Sequence, residues 1–285
     1  MVITAAQVNE LRQKTGAGMM DCKKALTEAE GDFEKAIEIL RKKGAAVASK
    51  RAEKTANEGL VLTKISEDKE SGVMVEVNCE TDFVAKSADF VNFANEVLDA
   101  VFTLSPASVS ELLEKSAKVK DLQIEVMGKV GEKIEVSRLA IENSPNSMVL
   151  DYVHLGSKLG VLIKFENAPK DKNAFSEIGK DIAMQVAAMK PICVYREEVP
   201  KDIIEKEIDI YKELARKEGK PEQILDKISQ GRINKFYQEN CLVEQAFIKD
   251  NTKSVGDLLK EFNSKQGTQI EISLFHRFHL GDEKK

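Results

Sequence analysis

The sequence predicts an α+β protein of several parts: an N-terminal three-helix bundle, then two related α+β subdomains with an inserted helical hairpin. Three observations predict it. Residues 4–43 carry only helical periodicity. From residue 60 onward, strand-like runs alternate with long amphipathic helices. A hairpin-plus-helix pattern occurs twice, with the same spacing along the helix stripe.

The elements follow in order. Thr4 and Gln7 form a capping box ahead of the apolar pair Val8 and Leu11, and Thr15-Gly16-Ala17-Gly18 stops that helix. The second helix starts near Met20 and ends before Gly31-Asp32. In the third, Phe33, Ala36, Ile37 and Leu40 fall on one face. Residues 41–54 then hold six basic residues and one acid. Two readings are open, a nucleic-acid patch or a solvated Lys/Ala linker; with no aromatic residue interleaved for base stacking, the linker is preferred. It closes a first domain, residues 1–54.

Residues 55–142 form the second unit. Runs 60–65 and 73–79 flank a polar turn as a hairpin, and a helix follows with Phe90, Phe93, Ala94, Val97, Leu98 and Val101 on one stripe. Two shorter helical stretches (110–120 and 121–130) and a strand at 133–141 complete it. Residues 143–285 repeat the scheme, with runs 148–155 and 161–166 leading to a helix striped by Phe175, Ile178, Gly179, Ile182, Ala183 and Val186. The arm spans about 198–237: Ile204, Ile208, Tyr211 and Ala215 line its first helix, Ile224, Leu225 and Ile228 its second, and Gly219-Lys220-Pro221 breaks them. A helix capped by Ser254 and a final strand with Ile270, Ile272 and Leu274 end the chain.

The two copies differ at one point. Gly72 to Phe90 is 18 positions, whereas Gly160 to Phe175 is 15. The first copy therefore has three extra residues between strand and helix, in the stretch N-C-E-T-D-F-V-A-K, and a phenylalanine, Phe83, stands in the middle of it. Connections normally carry small polar residues. Since the second copy makes the same architecture without the aromatic, Phe83 reads as functional. The competing reading has Asp82 capping the next helix and Phe83 stapling its start; Ser87 or Asp89 is better placed to cap.

Composition narrows the function classes. The 285 residues are 42% hydrophobic and 32% charged, with net charge −5, so no global charge draws the chain to nucleic acid. No apolar run approaches the ~18 residues that span a bilayer, and the N-terminus lacks signal-peptide organisation. Cys22, Cys79, Cys193 and Cys241 are far apart in sequence, which suits a reducing compartment; the expectation is a cytoplasmic protein without a disulfide framework. Neither a Walker-type nor a dinucleotide-binding glycine motif occurs, and Gly16-Ala17-Gly18 lies between helices as a turn. His276 and His279, three apart on a strand, point to opposite faces and make a poor metal pair. Cys22 reads as a small core residue. No acid/base or nucleophile constellation stands out, so the expectation is a binding protein, not an enzyme, with no cofactor.

Three segments together carry a resemblance: L-R-Q-K-T-G-A-G-M-M-D-C-K-K-A-L-T-E-A near the start, N-C-E-T-D-F-V-A-K in the centre and G-R-I-N-K-F-Y-Q-E late in the chain. In this order, over essentially the whole length, the chain resembles bacterial elongation factor Ts. The resemblance implies a ubiquitin-associated-like (UBA-like) bundle at 1–54 and guanine nucleotide exchange on the GTPase elongation factor Tu, in its GDP-bound and nucleotide-free forms. It implies that Thr81, Asp82, Phe83 and Val84 dislocate the Mg²⁺ of the partner. It also implies partner contacts at Arg12, Met19, Met20, Val130, Gly131 and His154, and leaves self-association through the arm open. The turn H-L-G-S-K-L-G departs from the family's more usual glycine-rich one. Two alternatives remain: an RNA-binding translation accessory protein using residues 41–54, and a hydrolase or transferase with an unrecognised site.

Overall fold

The computed structural model describes residues 2–169 and 171–282. Its first three helices are α1 (Ala5–Thr15), α2 (Met19–Glu28) and α3 (Phe33–Arg51). The Thr4–Gln7 capping box starts α1, and Asp32 caps α3 by accepting from the Lys35 N–H. Leu11, Cys22, Leu26 and Ala36 close a small core of their own.

The basic run is not a linker. Helix α3 continues through it to Arg51, as its Ala, Lys and Arg residues favour. Gly44, a helix breaker by propensity, is buried there against α7 (Ala117–Val130): a Cβ at Gly44 would lie 2.5 Å from the Ile124 carbonyl oxygen, and one at Gly128 would lie 3.1 Å from the Gly44 Cα. The two glycines let the helices cross closely, and Ala48 packs onto the main core beyond. The bundle is thus seated on the rest of the molecule.

Strands β1 (Glu58–Ile65), β2 (Ser71–Cys79) and β3 (Ile134–Asn143) form an antiparallel sheet in that order. The second sheet has the order β4 (Met148–Val153), β5 (Leu159–Glu166), β8 (Glu271–His279). Val73, Val75 and Val77 face helix α5 (Ala88–Leu104), while Val161, Ile163 and Phe165 face α8 (Lys172–Met189). The intervening residues face the other sheet: Val61 and Met74 meet Val149 and Leu162. The result is a helix–sheet–sheet–helix stack. Gly72 and Gly160 occupy equivalent positions in the two copies for one reason: a Cβ at either would collide with the opposing sheet. Glu76 is fully buried on this inner face and is paired with Arg138 at 2.8 Å.

Several details depart from the expectations above. Between α6 (Val109–Lys115) and α7 the break falls at Ser116, which caps α7 by accepting from the Val119 N–H, not at 120–121. In the arm, α9 (Lys201–Lys217) and α10 (Leu225–Asn240) are antiparallel, with Ile224 in a 3-10 turn and 42% exposed, so it does not line the inner face. A small ribbon, β6 (Ala246–Phe247) with β7 (Asp250–Ser254), precedes α11 (Val255–Gln266) and had no counterpart in the sequence reading. Cys193 and Cys241, distant in sequence, meet at the root of the arm with sulfurs 3.5 Å apart; all four cysteines are free and buried.

Candidate functional site

The connection after β2 is short and fully organised. Thr81 caps a single helical turn, α4 (Asp82–Ala85) in chain order between β3's partner strand and α5, by accepting from the Val84 N–H at 3.4 Å. Ser87 then caps α5. Asp82 therefore caps nothing; its carboxylate takes a hydrogen bond from Lys86 at 2.7 Å, which holds its pKa below the ordinary value, with a weaker attraction from Lys158. Ala85 is buried and Val84 half-buried against the core, so the turn is anchored on one side. Phe83 points the other way and is 82% exposed. An aromatic held out from an anchored turn is no staple; its ring is open to a partner.

Two carboxylates tie this turn to the end of α7. Glu132 accepts from the N–H groups of Glu80 and Thr81 and from the Thr81 hydroxyl. Glu80 returns the arrangement, accepting from the Lys133 N–H at 2.7 Å and from Arg51 at 2.7 Å. Burial alone would raise the Glu80 pKa; the Lys133 amide and the Arg51 guanidinium outweigh it and hold the pKa below 4.5. A depressed carboxylate contributes stability that is complete above its unfolded value and is lost as pH falls through the folded one. Glu80→Gln is therefore expected to lower the melting temperature near neutral pH, with the difference from the parent shrinking as pH falls through the lowered pKa of the folded state. A difference that persists unchanged into acid would show that the charge of Glu80 is not what stabilises the clamp.

The clamp brings Val130 and Gly131 beside Thr81. Val130 is the last residue of α7 and packs half-buried on the core, so it belongs to a helix and not to a loop. Gly131 ends the helix in the left-handed region (φ 73°), and nothing lies within 4 Å of where its Cβ would stand. One residue earlier in the helix, Lys129 pairs with Glu125 and Asp89 and lies across Gly16. The turn between α1 and α2 is thereby fixed against α7. Met19 and Met20 follow it, 59% and 62% exposed, and Arg12 is exposed on the last turn of α1.

The second hairpin's turn joins from the other side. Lys158 pairs with Glu58 at 2.7 Å, and the Ser157 carbonyl accepts from the Val61 N–H, so the turn rests on β1. His154 is exposed there, with its Nδ1 2.9 Å from the Tyr152 hydroxyl. Leu155 beside it is 95% exposed. Leu155 and Glu132 are not legible in the sequence: a lone leucine in a glycine turn and one glutamate among many carry no periodic signal.

Nothing nearby has the chemistry of a reaction centre. Among the described residues no group of histidine, cysteine, aspartate and glutamate side chains could hold a metal ion. The Cys79 thiol is pushed up to about 12 by burial and donates to the Thr81 carbonyl, so it is no nucleophile. A cleft of about 600 Å³ lies away from this region, between the root of the arm and α11, lined by Tyr195, Glu244 and Lys260 among others. No helix among the described residues is long and apolar enough to cross a membrane.

The family model described as "Elongation factor TS" matches residues 80–282, a span that starts at the clamped turn itself. Relatives match over nearly the whole chain. "Elongation factor Ts" of Chloroherpeton thalassium is 46% identical over 288 residues, covering 99% of both chains. Its namesake of Chlorobium limicola is 47% identical over 287 residues, covering 98% of this chain and 99% of the relative. A clostridial one, of Clostridium botulinum, is 43% identical over 285 residues, covering 99% of this chain and 94% of the relative. With family match and full-length likeness in agreement, the chain belongs to the elongation factor Ts family.

Proposed function

We propose that this chain is the guanine nucleotide exchange factor of the translational GTPase elongation factor Tu, and that Thr81, Asp82, Phe83 and Val84 dislocate the partner's Mg²⁺ and favour its nucleotide-free state. The observation that carries this reading is Phe83 itself, 82% exposed on a capped and anchored turn in a chain of this family. In a GTPase, Mg²⁺ bridges phosphate oxygens to a P-loop hydroxyl and neutralises their charge. A partner conformation that lacks the metal binds nucleotide less tightly. By linkage, nucleotide then weakens binding of the factor by the same factor, so the complex is transient and the factor recycles. Phe83 supplies the apolar wedge that separates packed elements of the partner, and the half-exposed Asp82 disturbs polar contacts around the metal.

No bond of a substrate is made or broken in this role, so the chain is not an enzyme and needs no cofactor of its own. Arg12, Met19 and Met20 supply a docking contact on the bundle; Val130, Gly131 and His154 supply further ones. The setting is the bacterial cytoplasm. The ion pairs of the basic run weigh against an RNA role: Arg41, Lys42, Lys43 and Arg51 each face a carboxylate of this chain. The deciding experiment mixes the protein with elongation factor Tu carrying fluorescent GDP in excess unlabelled GDP. Release is expected to accelerate and to saturate with factor concentration. A rate that stays at the spontaneous value would overturn the proposal.

A further inference from the structure

We infer that Glu132 is a positioning residue for exchange: its carboxylate fixes the Thr81 turn and, through it, the direction in which Phe83 is presented. The inference rests on the exchange role proposed above. Glu132 follows Gly131, whose positive φ turns the chain off the end of α7 toward the connection. One carboxylate oxygen accepts from the N–H of Glu80 at 3.2 Å and of Thr81 at 3.0 Å, and the other accepts from the Thr81 hydroxyl at 2.7 Å.

The geometry of the hydroxyl makes this more than a tether. A threonine hydroxyl has one proton. With that proton donated to Glu132, its lone pairs are aimed at the Val84 N–H, the bond that caps the helical turn. The Thr81 carbonyl in turn accepts from the Ala85 N–H and the Cys79 thiol, both at 3.2 Å. Every polar atom of Thr81 is therefore engaged, and Glu132 holds two of the three. Phe83, being 82% exposed, takes its direction from this backbone and not from packing around its ring. A wedge has to arrive in one orientation, and displacement of a working group by about 1 Å can cost on the order of a hundredfold in rate.

The test compares Glu132→Ala, Glu132→Gln, Glu132→Asp, Phe83→Ala and the Glu132→Ala/Phe83→Ala double variant. For each, the maximal rate of labelled GDP release at saturating factor, the half-saturating concentration and the thermal unfolding of the free protein are measured. Glu132→Ala is expected to lower the maximal rate roughly tenfold or more, with a smaller change in half-saturation. Glu132→Gln keeps the reach but only one acceptor oxygen, enough for the two N–H groups and not for the Thr81 hydroxyl proton, and should restore the rate in part. Glu132→Asp keeps the charge but falls short and should not. The double variant should be no slower than Phe83→Ala, because Glu132 acts through that ring. A rate restored by Glu132→Asp but not by Glu132→Gln, or losses that multiply in the double variant, would overturn the inference. If Phe83→Ala alone exchanges normally, the wedge reading itself fails; if only Glu132→Ala does, the wedge stands and the positioning role falls.

Discussion

Phe83→Ala is expected to melt with the parent protein and to slow the release of GDP from elongation factor Tu by more than about tenfold. The two halves of this expectation have separate causes. A buried phenylalanine truncated to alanine costs about 3–5 kcal/mol, but that figure belongs to rings with core neighbours. Phe83 is 82% exposed, so the free protein loses next to nothing on truncation, within about 0.5 kcal/mol. On the proposed role the same ring is an anchor in the complex, and anchors of its kind are worth about 2 kcal/mol or more, which exceeds tenfold. Asp82→Ala should slow exchange less, since its carboxylate is already partnered by Lys86 and the wedge remains. The measurement is paired: thermal unfolding of the free variant, and stopped-flow GDP release with and without Mg²⁺. A large fall in melting temperature together with normal exchange would mean that the ring packs inward in solution.

Much of this architecture was legible in the sequence because it rests on local rules. The capping box at Thr4 and Gln7, the twin stripes beginning at Phe90 and Phe175, and the break at Gly219-Lys220-Pro221 all depend on residues within one or two turns of each other. What was not legible depends on partners distant in the chain. Residues 72–79 alternate as a sheet with one wet face would, yet all are buried, because a second sheet covers the face that carries Met74, Glu76 and Asn78. The run 41–54 has the composition of a solvated Lys/Ala linker, and only α7, distant in the chain, makes it a packed helix by covering Gly44. At the candidate site the loop itself could be found, through its three extra residues, while Glu132, which holds it, could not. That clamp joins residues about fifty positions apart, and no local pattern marks either end.

Substitution at Gly44 is expected to uncouple docking from exchange. On an exposed helix, Gly→Ala stabilises by about 1 kcal/mol through propensity alone. At Gly44 the sign should reverse. An added Cβ would lie 2.5 Å from the Ile124 carbonyl oxygen, which is backbone and cannot rotate away, so α3 and α7 must separate. Overpacking of this kind costs about 1–3 kcal/mol, and Gly44→Leu should exceed Gly44→Ala. Separation would also strain the contact of Lys129 with Gly16, which fixes the methionine turn against α7, while the Phe83 turn keeps the bonds that Glu132 and the Lys133 N–H give it. The bundle keeps its own core and should stay folded. Met19 and Met20 would then be presented on a loosened body while Phe83 remains on its anchored turn. The half-saturating concentration of Gly44→Leu in GDP release should therefore rise about tenfold, an interface contact's worth, with the maximal rate largely kept. Phe83→Ala should show the opposite division. If Gly44→Ala instead melts above the parent, helix propensity outweighs the crossing, and the bundle is not seated on α7 in the way that gives this glycine its purpose.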